Sequence, residues 1–188
     1  MSSTKILLVA AAPLLRAILT SESTKMKIDT LADLYLDQIQ DMRSCESQLV
    51  KALPKMATAA AHPELKAGFK NHLAETNEQL ARLDTILADL GKTAGRKVCE
   101  AAVGLVKEGV EMIENATEAQ VRDAGLICAA QKIEHYEIAS YGCLRTFASL
   151  LGREADVKLL DDTLAEEKKA NESLTELATT AVNAEALP

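Results

Sequence analysis

The chain has 188 residues, of which 48% are hydrophobic and 26% are charged, so it can bury a sizeable core in one domain and lacks the composition of a disordered or collagen-like protein. Aromatic residues make up only 3%, and no proline occurs between Pro63 and Pro188, which disfavours a β-sandwich or barrel and favours an all-α domain. The net charge of −7, without a stripe of Lys and Arg, excludes nucleic acid as an expected partner.

The cysteines and the N-terminal residues indicate the cellular compartment in which the protein is expected. There are 4 cysteines and no CxxC pair, which is typical of free thiols in the cytoplasm. The apolar stretch Ile6 to Leu19 is interrupted by Arg16 and is shorter than the roughly 20 residues of a membrane span, so no membrane association is expected. A secretory signal would need a cleavage site that does not follow, whereas a transit peptide or a mis-assigned start stays open. We predict three parts, an extension outside the fold, a helical domain and a short tail: 1–25, 26–183 and 184–188.

The first half of the domain has the apolar spacing of two amphipathic helices. Asp29 or Thr30 can cap the first helix, which Pro54 is expected to bend or end. Pro63 marks the turn to the second helix, and Gly91 is a suitable C-terminal stop.

The second half contains a connecting segment and two further helices. Residues 92–117 have a short apolar pattern that predicts a minor helix, and a long helix follows it and ends at Gly152. The last helix is predicted from about Glu154 to Val182. Two hairpins joined by one long crossover are typical of a ferritin-like four-helix bundle, with the minor helix in the crossover between helices 2 and 3.

Each of the four long helices carries a carboxylate at its middle. Glu46 and Glu75 flank the first hairpin turn, and Glu137 and Glu167 flank the second, each about 20–24 Å from its turn at 1.5 Å rise per residue. Glu134 lies one turn before Glu137. The bundle is therefore expected to place several acids at one level.

Buried acids at one level are costly, because like charges repel and burial disfavours ionisation. They can share protons and point partly to solvent, or they can surround cations, and carboxylate clusters inside helical bundles are the usual setting of di-iron and di-manganese sites. His72 lies one turn before Glu75, the reverse of the common Glu-x-x-His order. The pattern indicates a metal site without fixing its ligands.

Simpler interpretations exist for single residues. Glu137 could be a solvated surface acid, as could Glu166. His72 fits a hydrogen-bonded core histidine better than a ligand, Tyr141 fits a packing residue, and Cys45 is expected to point away from the core.

Four stretches resemble the YciE/YciF family of ferritin-like bacterial stress proteins, and the likeness extends from about residue 26 to residue 181. They read ESQLVKALP at 46–54, HLAETNEQ at 72–79, AAQKIEHYEIASYG at 129–142 and TLAEEK at 163–168. The resemblance implies a dimer, a role in stress and a dimetal centre, with these candidate ligands: Glu46, Glu75, Glu134, Glu137, Glu167 and His72. Ala74 and Ala165 stand where relatives often have Glu, and Asn171 where Asp is common, which leaves the number of ligands open.

Three functions follow as expectations. The first is a stress-defence protein that holds two divalent metal ions, iron or manganese, and reacts with oxygen or peroxide. The second is a non-enzymatic homodimeric bundle that binds another protein or has a structural role. The third, a ferritin-like storage shell, conflicts with the expected homodimer.

Overall fold

The structure is a computed structural model that describes residues 27–187, and the predicted extension at 1–25 lies outside the described residues. The described part is helical, as predicted. Its helices are α1 (Leu31–Ala59), α2 (Pro63–Asp89), α3 (Glu100–Asn115), α4 (Ala119–Leu150) and α5 (Glu154–Leu177), followed by a π-helical turn (Ala178–Val182) and the short α6 (Asn183–Glu185). No helix among these is long and apolar enough to cross a membrane.

Helix α1 begins at an expected cap but continues past Pro54. Thr30 forms a capping box with Asp33, since the Thr30 hydroxyl accepts a hydrogen bond from the Asp33 N–H and the Asp33 carboxylate accepts one from the Thr30 N–H. Pro54 does not end the helix, which continues to Ala59. Burial of the flanking Leu53 and Met56 offsets the hydrogen bond that proline cannot donate.

The predicted stops are glycines in the left-handed region. Gly91 has φ 65° and Gly152 has φ 69°, a conformation that costs a residue with a side chain more than it costs glycine. Gly152 reverses the chain between α4 and α5. The connection after Gly91 leads into α3.

The helices pack as two antiparallel hairpins, α1 with α2 and α4 with α5. Helix α1 also packs on α4, and α2 packs on α5, which closes the four-helix bundle. The crossover helix α3 lies against α1 and α4. This is the ferritin-like arrangement with one long crossover that the sequence predicted.

Two buried acids hold the hairpin turns in register. Asp123 of α4 accepts hydrogen bonds from the N–H groups of Ala61 (2.9 Å) and His62 (2.6 Å) in the first turn. Asp156 of α5 accepts one from the Tyr35 hydroxyl of α1 (2.8 Å). Because each bond joins one hairpin to the other near an end of the bundle, together they fix the level at which the mid-helix acids meet.

Candidate metal centre

The mid-helix acids point into the bundle. Glu46, Glu137 and Glu167 are 0% exposed, and Glu134 is 2% exposed. Glu137 is therefore a core residue, and its interpretation as a solvated acid is wrong. Glu75 differs from the others, because 37% of its side chain is exposed.

His72 lies among these acids from α2. Its Nε2 is 3.4 Å from Glu134 Oε1 and 3.8 Å from Glu167 Oε2. Its Nδ1 is 3.5 Å from Glu75 Oε2 but makes no hydrogen bond. The His72 side chain is therefore buried and faces three acids, from α2, α4 and α5.

One ligand atom from each of four residues falls into a small space. These atoms all lie within 4.8 Å of one another, and the residues are buried: His72, Glu134, Glu137 and Glu167. They come from α2, α4 and α5. Glu46 of α1 is outside this set of four, but its charge raises the pKa of Glu137 after the larger effect of burial, and that of Glu167 after burial and Glu134.

Several of these polar atoms have no hydrogen-bond partner. They are Glu46 Oε2, His72 Nδ1, Glu134 Oε2, Glu137 Oε2 and both oxygens of Glu167. An unpaired buried polar group costs about 1–3 kcal/mol, and more when it is charged. The chemistry of this cluster, with several unpaired acceptors in one place, therefore fits a bound cation.

Burial dominates the protonation of the acids. It raises the pKa of Glu46 to about 7, against the opposing hydrogen bond from Tyr141, and it raises the pKa of Glu167 to about 11 with help from the charge of Glu134. Burial also raises the pKa of Glu134 and Glu137. Without cations, the acids therefore favour shared protons at neutral pH.

The pKa shifts of the two α2 groups, His72 and Glu75, favour their charged forms. Burial lowers the pKa of His72, but the neighbouring acids, Glu75 first, outweigh it and the net shift is upward. The contact with His72 lowers the pKa of Glu75, although burial opposes it. The neighbouring acids thus favour the protonated form of His72, and the histidine in turn favours the ionised form of Glu75.

Two contacts of the centre were not expected from the sequence. The Tyr141 hydroxyl donates a hydrogen bond to Glu46 Oε1, so Tyr141 is more than a packing residue. Cys45 is 1% exposed and its Sγ is 3.9 Å from Glu137 Oε1, so the expectation that it points away from the core is wrong. Helix α1 contacts α2, α3 and α4, which buries more of its circumference than two neighbours would. For Tyr141 the sequence did hold a signal: it follows Glu137 by four residues, so both lie on the same face of α4, towards the centre.

Glu166 lies outside the cluster. Its carboxylate accepts hydrogen bonds from both terminal nitrogens of Arg82 (2.6 and 2.8 Å) and from Gln79 (3.1 Å). Of the adjacent acids Glu166 and Glu167, one is neutralised by an arginine and the other is not. The orphaned acid is the one that faces His72.

Comparison with known proteins shows which family the chain belongs to. Residues 30–187 match the family described as a domain of unknown function, DUF892. The protein YciF of Escherichia coli K12 is 43% identical over 162 residues, which are 86% of this chain and 98% of YciF.

Solved structures agree. The crystal structure of the E. coli stress protein YciF superposes with a TM-score of 0.80 at 43% identity, covering 83% of this chain and 99% of that one. YcfI from Rhodopseudomonas palustris, described as a protein with a proposed structural role, superposes with a TM-score of 0.77 at 40% identity, covering 80% and 96%. The chain therefore belongs to the DUF892 family and is a homologue of the stress protein YciF, as its sequence motifs indicated.

Proposed function

We propose that this protein binds two divalent metal ions, iron in the first place and manganese as the alternative, and acts in defence against oxidative or metal stress in the cytoplasm. The observation that carries the proposal is the set of orphaned acid oxygens around His72, buried at the middle of the bundle. Carboxylate and imidazole groups are the ligands that such ions take in helical bundles. The stress role rests on the homology with YciF.

The proposed ligands divide by position. Glu46, Glu134, Glu137, Glu167 and His72 are buried and would hold the ions, while Glu75 would bind from the partly exposed side. The acids would release their shared protons on binding, because a cation at this position favours the ionised form that burial disfavours. Metal affinity is therefore expected to rise with pH.

Other residues of the chain would prepare the site. The Tyr141 hydroxyl holds one oxygen of Glu46 and leaves the other, Oε2, without a partner and free to bind. The burial of these acids lowers the local dielectric constant, which strengthens electrostatic interactions between them and a bound cation. Bound iron would supply one-electron chemistry with oxygen or peroxide.

The test is metal analysis of full-length protein purified without chelators from iron-fed cells. We expect about two equivalents of metal per chain, and a loss of most of it in Glu46→Ala and Glu167→Ala. Glu172→Ala is the control, since this acid of α5 is exposed. Less than about half an equivalent in the unchanged protein contradicts the proposal.

A second candidate is a homodimeric bundle without catalytic activity, a role that the description of YcfI favours. Its acids would then stay protonated, and its interactions would not depend on metal. A partner recovered equally well with Glu46→Ala and with the unchanged protein, together with the absence of bound metal, would favour this candidate.

A further inference from the structure

A cavity of about 430 Å³ opens between α2 and α5, next to the π-helical turn. Its apolar wall includes Leu65, Phe69 and Leu174. Its other wall is polar, and it ends on two residues of the candidate metal centre, His72 and Glu134. The cavity therefore joins the buried centre to the surface.

The inner end of the cavity carries unsatisfied groups. His72 is 8% exposed and Glu134 is 2% exposed, and neither His72 Nδ1 nor Glu134 Oε2 has a hydrogen-bond partner. A second cavity, of about 80 Å³, is lined by Lys51, Lys55 and mostly apolar residues and touches none of the candidate ligands. Of these two cavities, only the larger one reaches the centre.

The charges along the larger cavity favour cations. Its lining has two basic residues, Lys169 and His72, against four acids: Glu64, Glu75, Glu134 and Glu176. Glu64 and Glu176 are exposed, whereas Glu75 lies further in and contacts His72 at 3.5 Å. A cleft lined by one sign of charge raises the local concentration of the opposite ion and its rate of association.

We propose that this cavity is the path by which divalent cations enter the buried centre. Glu64 and Glu176 concentrate the cations at its opening, and Glu75 passes them to His72 and Glu134. This inference rests on the proposed function, because it gives the route to the same metal centre.

The first test measures how fast metal-free, full-length protein takes up Co²⁺, using a chelator quench at set times and metal analysis. We expect Glu64→Gln/Glu176→Gln to slow the initial uptake about three- to tenfold at low ionic strength, with a smaller difference at high salt and the same final stoichiometry. Glu78→Gln/Glu172→Gln is the matched control. It removes the same charge from the same two helices at exposed positions that do not line the cavity.

The second test narrows the path without removing a charge. Gly68 lines the cavity, and a Cβ placed on it has no heavy atom within 4 Å, so Gly68→Leu adds a side chain where there is room. We expect slower uptake at every salt concentration. Gly104→Leu in α3 is the control, since a Cβ there also meets nothing within 4 Å and the residue lines neither cavity.

The outcomes separate the inference from the proposed function. Uptake at unchanged rates in both the double Gln variant and Gly68→Leu, with full stoichiometry, overturns the path and leaves the metal centre standing. Failure of the unchanged protein to take up Co²⁺ contradicts the metal centre, and the path falls with it.

Discussion

Glu167→Gln should stabilise the metal-free protein at neutral pH. Burial and the nearby acids raise the pKa of Glu167 from 4.5 to about 11, so at pH 7 the folded state keeps a proton that the unfolded state has lost. Keeping a proton about 2.5 pH units above the usual pKa costs at most about 3 kcal/mol. Glutamine has the shape of the protonated acid and carries no charge. Its amide, like the protonated carboxyl group, can donate a hydrogen bond to the neighbouring Glu134.

The sign and size of this effect depend on pH. The cost is absent below pH 4.5 and grows as the pH rises towards the pKa of the folded state, so at pH 5 the gain should fall below about 1 kcal/mol. The assay is urea unfolding of chelator-treated protein at pH 5 and pH 7, with exposed Glu172→Gln as control. A Glu167→Gln protein that is less stable than the unchanged protein at pH 7, or whose gain does not change with pH, would refute the reasoning.

Three further predictions concern the centre and its supports. Tyr141→Phe removes the hydroxyl that holds Glu46 and should weaken metal binding about 10-fold or more, measured by competition with a chelator. Unchanged affinity would show that Tyr141 does not position the ligand. Asp123→Ala leaves the N–H groups of Ala61 and His62 without an acceptor and should lower the free energy of unfolding by about 2 kcal/mol in urea, whereas a negligible loss would contradict its role in the turn. The Tm of metal-free protein should fall between pH 5 and 7, because Glu46 has a pKa of about 7 in the folded state. Saturating metal should remove this fall. A Tm of metal-free protein that rises with pH would contradict the prediction.

The sequence predicted the fold well because its signals are local and agree with one another. The apolar spacing, Thr30 as a cap, and the stops at Gly91 and Gly152 each match the structure. Pro54 was expected to bend or end α1, and it does not end the helix, because a local rule for proline does not include the packing of the whole helix.

The level of the acids was also predictable, since helix rise and hairpin position set it. Their individual surroundings were not. Glu166 and Glu167 are neighbours in sequence, but only the structure shows that Arg82 neutralises the first. Which acid keeps a partner depends on side chains from another helix, far away in the chain.

The burial of Cys45 was missed for a related reason. The helical wheel of α1 alone leaves this residue beside the core, but α1 packs against three helices, and Cys45 is buried against Glu137 of α4. The crossover was recognised as a helix, and its docking site was not, because its short apolar pattern does not specify a partner surface.

The most direct test of the central claim is a crystal of the full-length protein soaked in ferrous iron and measured at the iron absorption edge. We predict two anomalous peaks among Glu46, His72, Glu134, Glu137 and Glu167, within bonding distance of their oxygen and nitrogen atoms. A soaked crystal with no anomalous peak at these side chains would contradict the metal centre.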